Sequence, residues 1–201
     1  LRCIPNMVLA APSDENECRL LLSTGYQHNG PAAVRYPRGQ ATGITITADL
    51  DTVEIGKGVV RQKGKNIAFL AFGTVITPCL AAAKKFGATV VDMRFVKPLD
   101  EDLIREMSKQ HELLVTVEEN AIAGGAGSAV SEFLSREGIL KPILHIGLPD
   151  HFLEHGKHES QLSHCGLDED GIYKAVESRW NQLQKAHPSK VLNVEKQVLR
   201  S

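Results

Sequence analysis

The sequence carries no charge surplus of either sign: Lys+Arg 23 against Asp+Glu 24 leave a formal net charge of −1. A surface built for DNA, RNA or an anionic membrane needs such a surplus, so neither nucleic acid nor a membrane is an expected partner. Long hydrophobic runs are missing as well. Stretches such as Ile67 to Phe72 fall far short of the roughly 20 apolar residues that cross a bilayer. No charged region followed by an apolar one opens the chain, so no signal peptide is read. Cysteine is sparse and scattered: Cys3, Cys18, Cys79 and Cys165 form no Cys-x-x-Cys pair. That spacing argues against a disulfide scaffold or a thiolate zinc site and for reduced thiols in the cytoplasm.

What is present is ordinary globular material. Hydrophobic residues make up 42% and charged residues 23% of 201 positions, room for one domain plus part of another. The chain starts at Leu1 rather than Met and enters a strand-like run, Met7 to Ala11, almost at once. That opening reads as a piece of a longer polypeptide.

The pattern predicts α/β architecture. A partial segment comes first: a strand over Met7–Ala11, a helix capped by Asp14 with Glu17 three residues on, and a strand over Ala32–Tyr36 closed by Pro37-Arg38-Gly39. One helix and two strands cannot enclose a core, so this segment is expected to pack on material outside the chain. Residues 41–50 read as an extended linker. Gly58–Gln62 reads as an antiparallel edge strand, turning at Lys63–Asn66 into a hairpin with the next strand. A strand–helix series follows. Strands are expected over Asn66–Phe72, Ala88–Val91, Leu113–Val117 and Pro142–Ile146, the first apolar enough to be buried on both faces. The helices between them are marked by Thr77 as N-cap, Gly87 as stop, Asp100 as N-cap before an apolar face of Leu103, Ile104, Met107 and His111, and Asp168-Glu169-Asp170 before the last helix. Such alternation implies a mainly parallel sheet with helices on both faces and one antiparallel edge strand. The domains read as 1–43 (partial), 44–185, and a weakly ordered tail over 186–201.

In an open α/β sheet ligands lie at the carboxyl ends of the strands. Those ends carry Gly73-Thr74, Arg94, Glu118-Glu119-Asn120 and Gly147–Asp150. Neighbouring strand residues point to opposite faces, so Glu118 and Glu119 are not expected to act as a catalytic pair. Gly124-Gly125-Ala126-Gly127-Ser128 before a helix could cradle a phosphate. It fits neither a dinucleotide fingerprint nor a P-loop, and a tight turn with close helix packing is the favoured reading. His151, His155 and His158, with His164 and Cys165 nearby, have helical metal-site spacing, but Pro149 and Gly156 disfavour a regular helix there. Arg35-Tyr36-Pro37-Arg38-Gly39 is the most suggestive cluster, because a guanidinium on a rigid turn suits phosphate or carboxylate.

Several motifs together carry a resemblance: Leu1–Met7, Pro12–Glu17, Ala33–Gly39, Val91–Asp100, Val117–Asn120 with its glycine turn, and Gly147–Asp150 with His155-Gly156. In this order, over about Leu1 to Leu183, they resemble the 1-deoxy-D-xylulose-5-phosphate synthase family of transketolase-like thiamine diphosphate enzymes. The resemblance implies a homodimer whose subunits decarboxylate pyruvate and join the two-carbon unit to glyceraldehyde 3-phosphate. It implies that 1–43 ends the pyrimidine-binding domain and that 44–185 is the transketolase-like C-terminal domain. Arg38 is then the substrate-binding residue, gripping the phosphate of glyceraldehyde 3-phosphate, while Arg35 supports the fold. The family's Gly-Asp-Gly run with a downstream Asn, its site for magnesium and the cofactor diphosphate, does not occur in these residues. No catalytic, cofactor or metal residue is therefore expected here, and the chain alone is expected to be inactive and to bind neither thiamine diphosphate nor Mg. Competing expectations are another transketolase-like enzyme (a transketolase or a 2-oxoacid dehydrogenase beta subunit) and a non-catalytic dimerisation module.

Overall fold

The computed structural model describes residues 1–39, 43–47 and 50–186. Among them the chain runs β1 (Val8–Ala10), α1 (Glu15–Gln27), β2 (Ala32–Val34), β3 (Val59–Gln62), β4 (Asn66–Phe72), α2 (Ile76–Phe86), β5 (Thr89–Asp92) and β6 (Phe95–Lys97). It continues through α3 (Glu101–Gln110), β7 (His111–Ala121), α4 (Ala126–Arg136), β8 (Ile143–Leu148), α5 (His158–His164) and α6 (Glu169–Ala186).

β4 is buried at every position after Asn66 because both faces of the main sheet are covered. Its period-two alternation divides the core. Ile67, Phe69 and Ala71 face the layer of α2 and α6, with Cys79, Ile172 and Val176. Ala68, Leu70 and Phe72 face the layer of α3 and α4, with Ile104, Met107, Val130 and Phe133. Phe69 is fully buried, and truncating such a side chain to Ala costs about 3–5 kcal/mol. The sheet order is β3-β5-β4-β7-β8, parallel except that β3 pairs antiparallel with β5 at one edge. This is the expected fold class, with its antiparallel edge strand.

The expected hairpin does not form. β3 pairs with β5, and β5 separates it from β4. The turn between β3 and β4 instead wraps over the end of α2: Lys65 N–H donates to Gly87 O at 2.9 Å and Gly64 N–H to Thr89 Oγ1 at 2.9 Å. A side chain on Gly64 would strike the Gly87–Ala88 backbone. Other expectations shift by a residue or two. α2 begins at Ile76 after Val75 without a side-chain cap, so Thr77 lies inside it, while Gly87 ends it in the left-handed region at φ 59°. Asp14 and Asp100 cap as expected, accepting from Glu17 N–H at 2.9 Å and Leu103 N–H at 3.1 Å. His111 starts β7 rather than extending α3. Ala186 closes α6, and the rest of the expected tail, 187–201, lies outside the described residues.

The first segment packs on the chain's own main domain. β1 pairs parallel with β2 and antiparallel with β6, so a second, three-stranded sheet takes one strand from the main domain. Val8, Ala10 and Leu21 bury against Phe95 there, with Val34, Val53 and Ile55. The extended linker runs beside α1, whose side chains satisfy it. Glu15 accepts from Gly43 N–H, Asn16 bonds Thr45 O and Thr47 N–H, Ser23 donates to Leu50 O, and Thr24 accepts from Val53 N–H.

Candidate functional site

The chain steps from β4 to β5 on one side and then returns to β7 on the other, so the topological switch point lies between β4 and β7. A cavity of about 250 Å³ occupies it, walled by Phe72, Glu118 and Gly125 and roofed by Leu1, Leu9 and Arg35. The first segment thus lines the generic ligand position of this fold with the chain's own residues. The partly open volume falls below the roughly 300–1,000 Å³ of ligand pockets.

Glu118 and Glu119 leave β7 on opposite faces, as expected. Glu118 turns toward α4 and accepts from Ala126 N–H at 2.7 Å and Gly127 N–H at 2.8 Å. Burial pushes its carboxyl above the usual range, against the pull of those two donors. The glycine-rich turn therefore already holds an acceptor, the chain's own carboxyl. A Cβ on Gly125 would strike that carboxyl, and one on Gly127 would strike the Thr116 and His145 side chains. This is the packing reading of the motif.

Glu119 faces the α2 side and joins three separate parts of the chain. Oε2 accepts from Arg35 at 3.1 Å and Thr74 Oγ1 at 3.2 Å, and Oε1 from His158 Nε2 at 2.5 Å. Burial raises its pKa, but the Arg35 and His158 hydrogen bonds outweigh burial and hold the carboxyl below its ordinary value. Of the candidate metal histidines, His158 starts α5 and is spent on Glu119, while His151 and His155 lie on the irregular stretch before it. Among the described residues no group of three or more His, Cys, Asp or Glu side chains could hold a metal ion.

On the far side of the Glu119 node lies a groove of about 600 Å³, lined by Asp14, Cys18, Tyr36, Pro37, Thr74 and Lys157. Arg38 stands between Pro37 and Gly39 at its rim and is exposed. Arg35, three residues earlier, is turned the other way, onto Glu119.

A second charged cluster escaped sequence reasoning. Glu17 on α1 accepts from Arg94 Nε at 2.7 Å and Nη2 at 2.6 Å, and from Arg61 Nη2 at 2.8 Å. The same Arg61 nitrogen reaches Asp92 at 2.9 Å. Burial pushes Asp92 up, against the hydrogen bond from Arg61. Arg94 adopts the left-handed region at φ 55°, where its own N–H donates to Asp92 Oδ1 at 3.1 Å. Arg94 had been marked as a strand end, but nothing local to it names Glu17.

Residues 56–172 match the family model of the transketolase C-terminal domain, over more than half of the chain. The chain belongs to the transketolase C-terminal domain family. Among its curated relatives is the 1-deoxy-D-xylulose-5-phosphate synthase of Pseudomonas fluorescens, 60% identical over 179 residues, which span 89% of this chain and 28% of that protein. The synthase of Thiobacillus denitrificans is 59% identical over 89% of this chain and 29% of that protein. This member of the transketolase family therefore spans under a third of those relatives' length. Among solved structures it is similar to a split-gene transketolase crystallised as an inactive beta4 tetramer, with a TM-score of 0.74 and 31% identity over 89% of this chain and 58% of that one. A transketolase from Campylobacter jejuni shares the fold at a TM-score of 0.64 and 17% identity, over 88% of this chain and 27% of that one.

Such enzymes use a thiamine cofactor, and the glycine-rich turn does not fit its diphosphate. The helix start at Gly125–Gly127, which could receive a diphosphate, is filled by Glu118.

Proposed function

We propose that this chain is the C-terminal part of a 1-deoxy-D-xylulose-5-phosphate synthase. The whole enzyme condenses pyruvate with glyceraldehyde 3-phosphate, loses CO2, and yields 1-deoxy-D-xylulose 5-phosphate for isoprenoid, thiamine and pyridoxal synthesis. The observation that carries this reading is the identity of about 60% maintained over 179 residues. Thiamine diphosphate and magnesium are bound by segments of the longer enzyme, in the cytoplasm, within a homodimer. The cofactor supplies the carbanion chemistry. This chain supplies a wall of the substrate site: Arg38, on its Pro–Arg–Gly turn, holds the substrate phosphate through its planar fork. In this reading residues 1–43 complete the pyrimidine-binding domain and 44–185 form the C-terminal domain.

CO2 release from pyruvate in the presence of glyceraldehyde 3-phosphate, thiamine diphosphate and Mg tests the assignment. A full-length polypeptide ending in this sequence is expected to turn over, and the 201-residue chain alone is not. Calorimetry with the cofactor and Mg is expected to give no heat of binding for the chain alone. Micromolar binding would overturn the division of labour.

One observation favours a second reading. The split-gene transketolase with 31% identity assembles as an inactive tetramer of a single chain type. A separate, non-catalytic subunit that self-associates is consistent with that relative. Analytical ultracentrifugation of the chain with and without a cofactor-binding partner chain distinguishes this reading from the first.

A further inference from the structure

Among the described residues the Pro37–Gly39 turn has no sheet partner. β2 ends at Val34, and the last ladder-like bond, from Arg35 N–H to Ala10 O at 2.8 Å, comes one residue later. Beyond that point the nearest side-chain anchor is Arg35 itself. Its guanidinium, 43% exposed, is held by the 7%-exposed carboxylate of Glu119. The other oxygen of the same carboxylate takes His158, the first residue of α5. α5 contains no fully buried residue, and its apolar hold on the core is the half-buried Leu162. Tyr36 and Pro37 line one wall of the 600 Å³ groove, and Lys157 and His158 the other. One buried carboxylate is tied to both walls.

We propose that Glu119 is a positioning residue for this groove: through Arg35 it orients the turn that presents Arg38, and through His158 it draws α5 up as the facing wall. The inference rests on reading Arg38 as the phosphate-holding residue, and it adds the group that aims it. An exposed arginine on a free turn loses rotamer and backbone freedom when it grips an anion, and a pre-set turn has spent that entropy already. Thr74, the third donor to Glu119, keeps the carboxylate seated at the end of β4.

The test uses the 201-residue chain without ligand, then with inorganic phosphate. Backbone 15N relaxation reads the order of Tyr36, Arg38 and Gly39 and, separately, of α5. Arg35→Gln is expected to lower order parameters in the turn from about 0.85 to below about 0.6 while leaving α5 unchanged. His158→Gln is expected to loosen α5 and leave the turn. Glu119→Gln is expected to loosen both, and Arg35→Lys to restore part of the turn's order. Retained order at the turn in a folded Arg35→Gln chain overturns the proposal. So does uniform loosening in every variant with a collapse in Tm, which would make Glu119 a general support of the fold. Phosphate titration, followed at the Arg38 Nε–H signal, addresses the underlying reading separately. The apparent Kd is expected to rise about tenfold in Glu119→Gln. No response of Arg38 in the wild-type chain would overturn the phosphate reading, while the ligand-free relaxation data still decide the positioning role.

Discussion

Glu17 and Arg94 stand 77 residues apart in sequence and meet through two hydrogen bonds of 2.6 and 2.7 Å, the guanidinium gripping both carboxylate oxygens. The pair fastens α1 to the end of β5, and both side chains are largely buried, at 6% and 15% exposure. A buried carboxylate that loses its partner costs about 3–5 kcal/mol. Arg61 remains on Glu17, so Arg94→Ala is expected to cost somewhat less, about 2–4 kcal/mol. Urea denaturation measures it, and a loss below about 0.5 kcal/mol would place the pair with ordinary surface ion pairs.

Limited proteolysis is expected to cut first between Gly39 and Leu50. The linker's described residues are mostly exposed, and side chains of α1 rather than a neighbouring strand answer their backbone. Early cleavage within β4 to β8 would contradict the division at residue 43. The main sheet has no comparable exposed, unpaired stretch among its buried strands.

Arg38→Ala, placed in the full-length enzyme, is expected to weaken glyceraldehyde 3-phosphate by about 30- to 1000-fold, from the loss of roughly 2–4 kcal/mol of charge-assisted bonding. Pyruvate has no phosphate, so its KM is expected to change little. Arg38→Lys keeps the charge without the fork and is expected to recover part of the loss. Equal KM changes for both substrates, together with a large fall in Tm, would assign Arg38 to bracing the turn.

Stability is expected to fall on mild acidification because of His145. Its ring lies half-buried between Thr116 Oγ1 at 2.6 Å and Ser131 Oγ at 2.8 Å. Burial lowers its pKa beneath the ordinary 6.5. The unfolded chain then takes up the proton first. The contribution is complete above pH 6.5 and is lost as pH falls from there through the folded value. Glu119, also lowered, adds a second loss in more acidic solution, below its ordinary value of 4.5. Denaturation midpoints between pH 7.5 and 5.5 should decline less steeply in His145→Gln than in the wild type. Parallel slopes would remove His145 from the account.

Local chemistry was readable at most residues that act on their own neighbourhood, Thr77 being an exception. Asp14 and Asp100 cap their helices, Gly87 stops one, and the apolar run after Asn66 foretells a strand buried on both sides. The alternation of Glu118 and Glu119 was legible for the same reason. Pairings across long stretches of chain were not. The Lys63–Asn66 turn has hairpin chemistry, yet β5 inserts between its flanking strands, and no short-range signal distinguishes the two outcomes. β6 is three residues long and precedes a proline, too short for a period-two pattern. α5 follows Gly156 and sends only the half-buried Leu162 toward the core, so it lacks the apolar periodicity that marks a helix. Within the candidate site the arginine motif was legible. Its tie to Glu119 was not, because 84 residues separate Arg35 from that carboxylate.

The seating of Glu118 at the start of α4 bears on how relatives of this chain are read. Its two glycines, Gly125 and Gly127, give clearance to a carboxylate eight and nine residues upstream of the amides it accepts from. Gly125 and the acid therefore form one unit of inheritance: a homologue that replaces Gly125 by alanine should also have shortened or lost the glutamate. A glutamate on the strand ahead of such a turn marks a helix start that the chain itself already occupies.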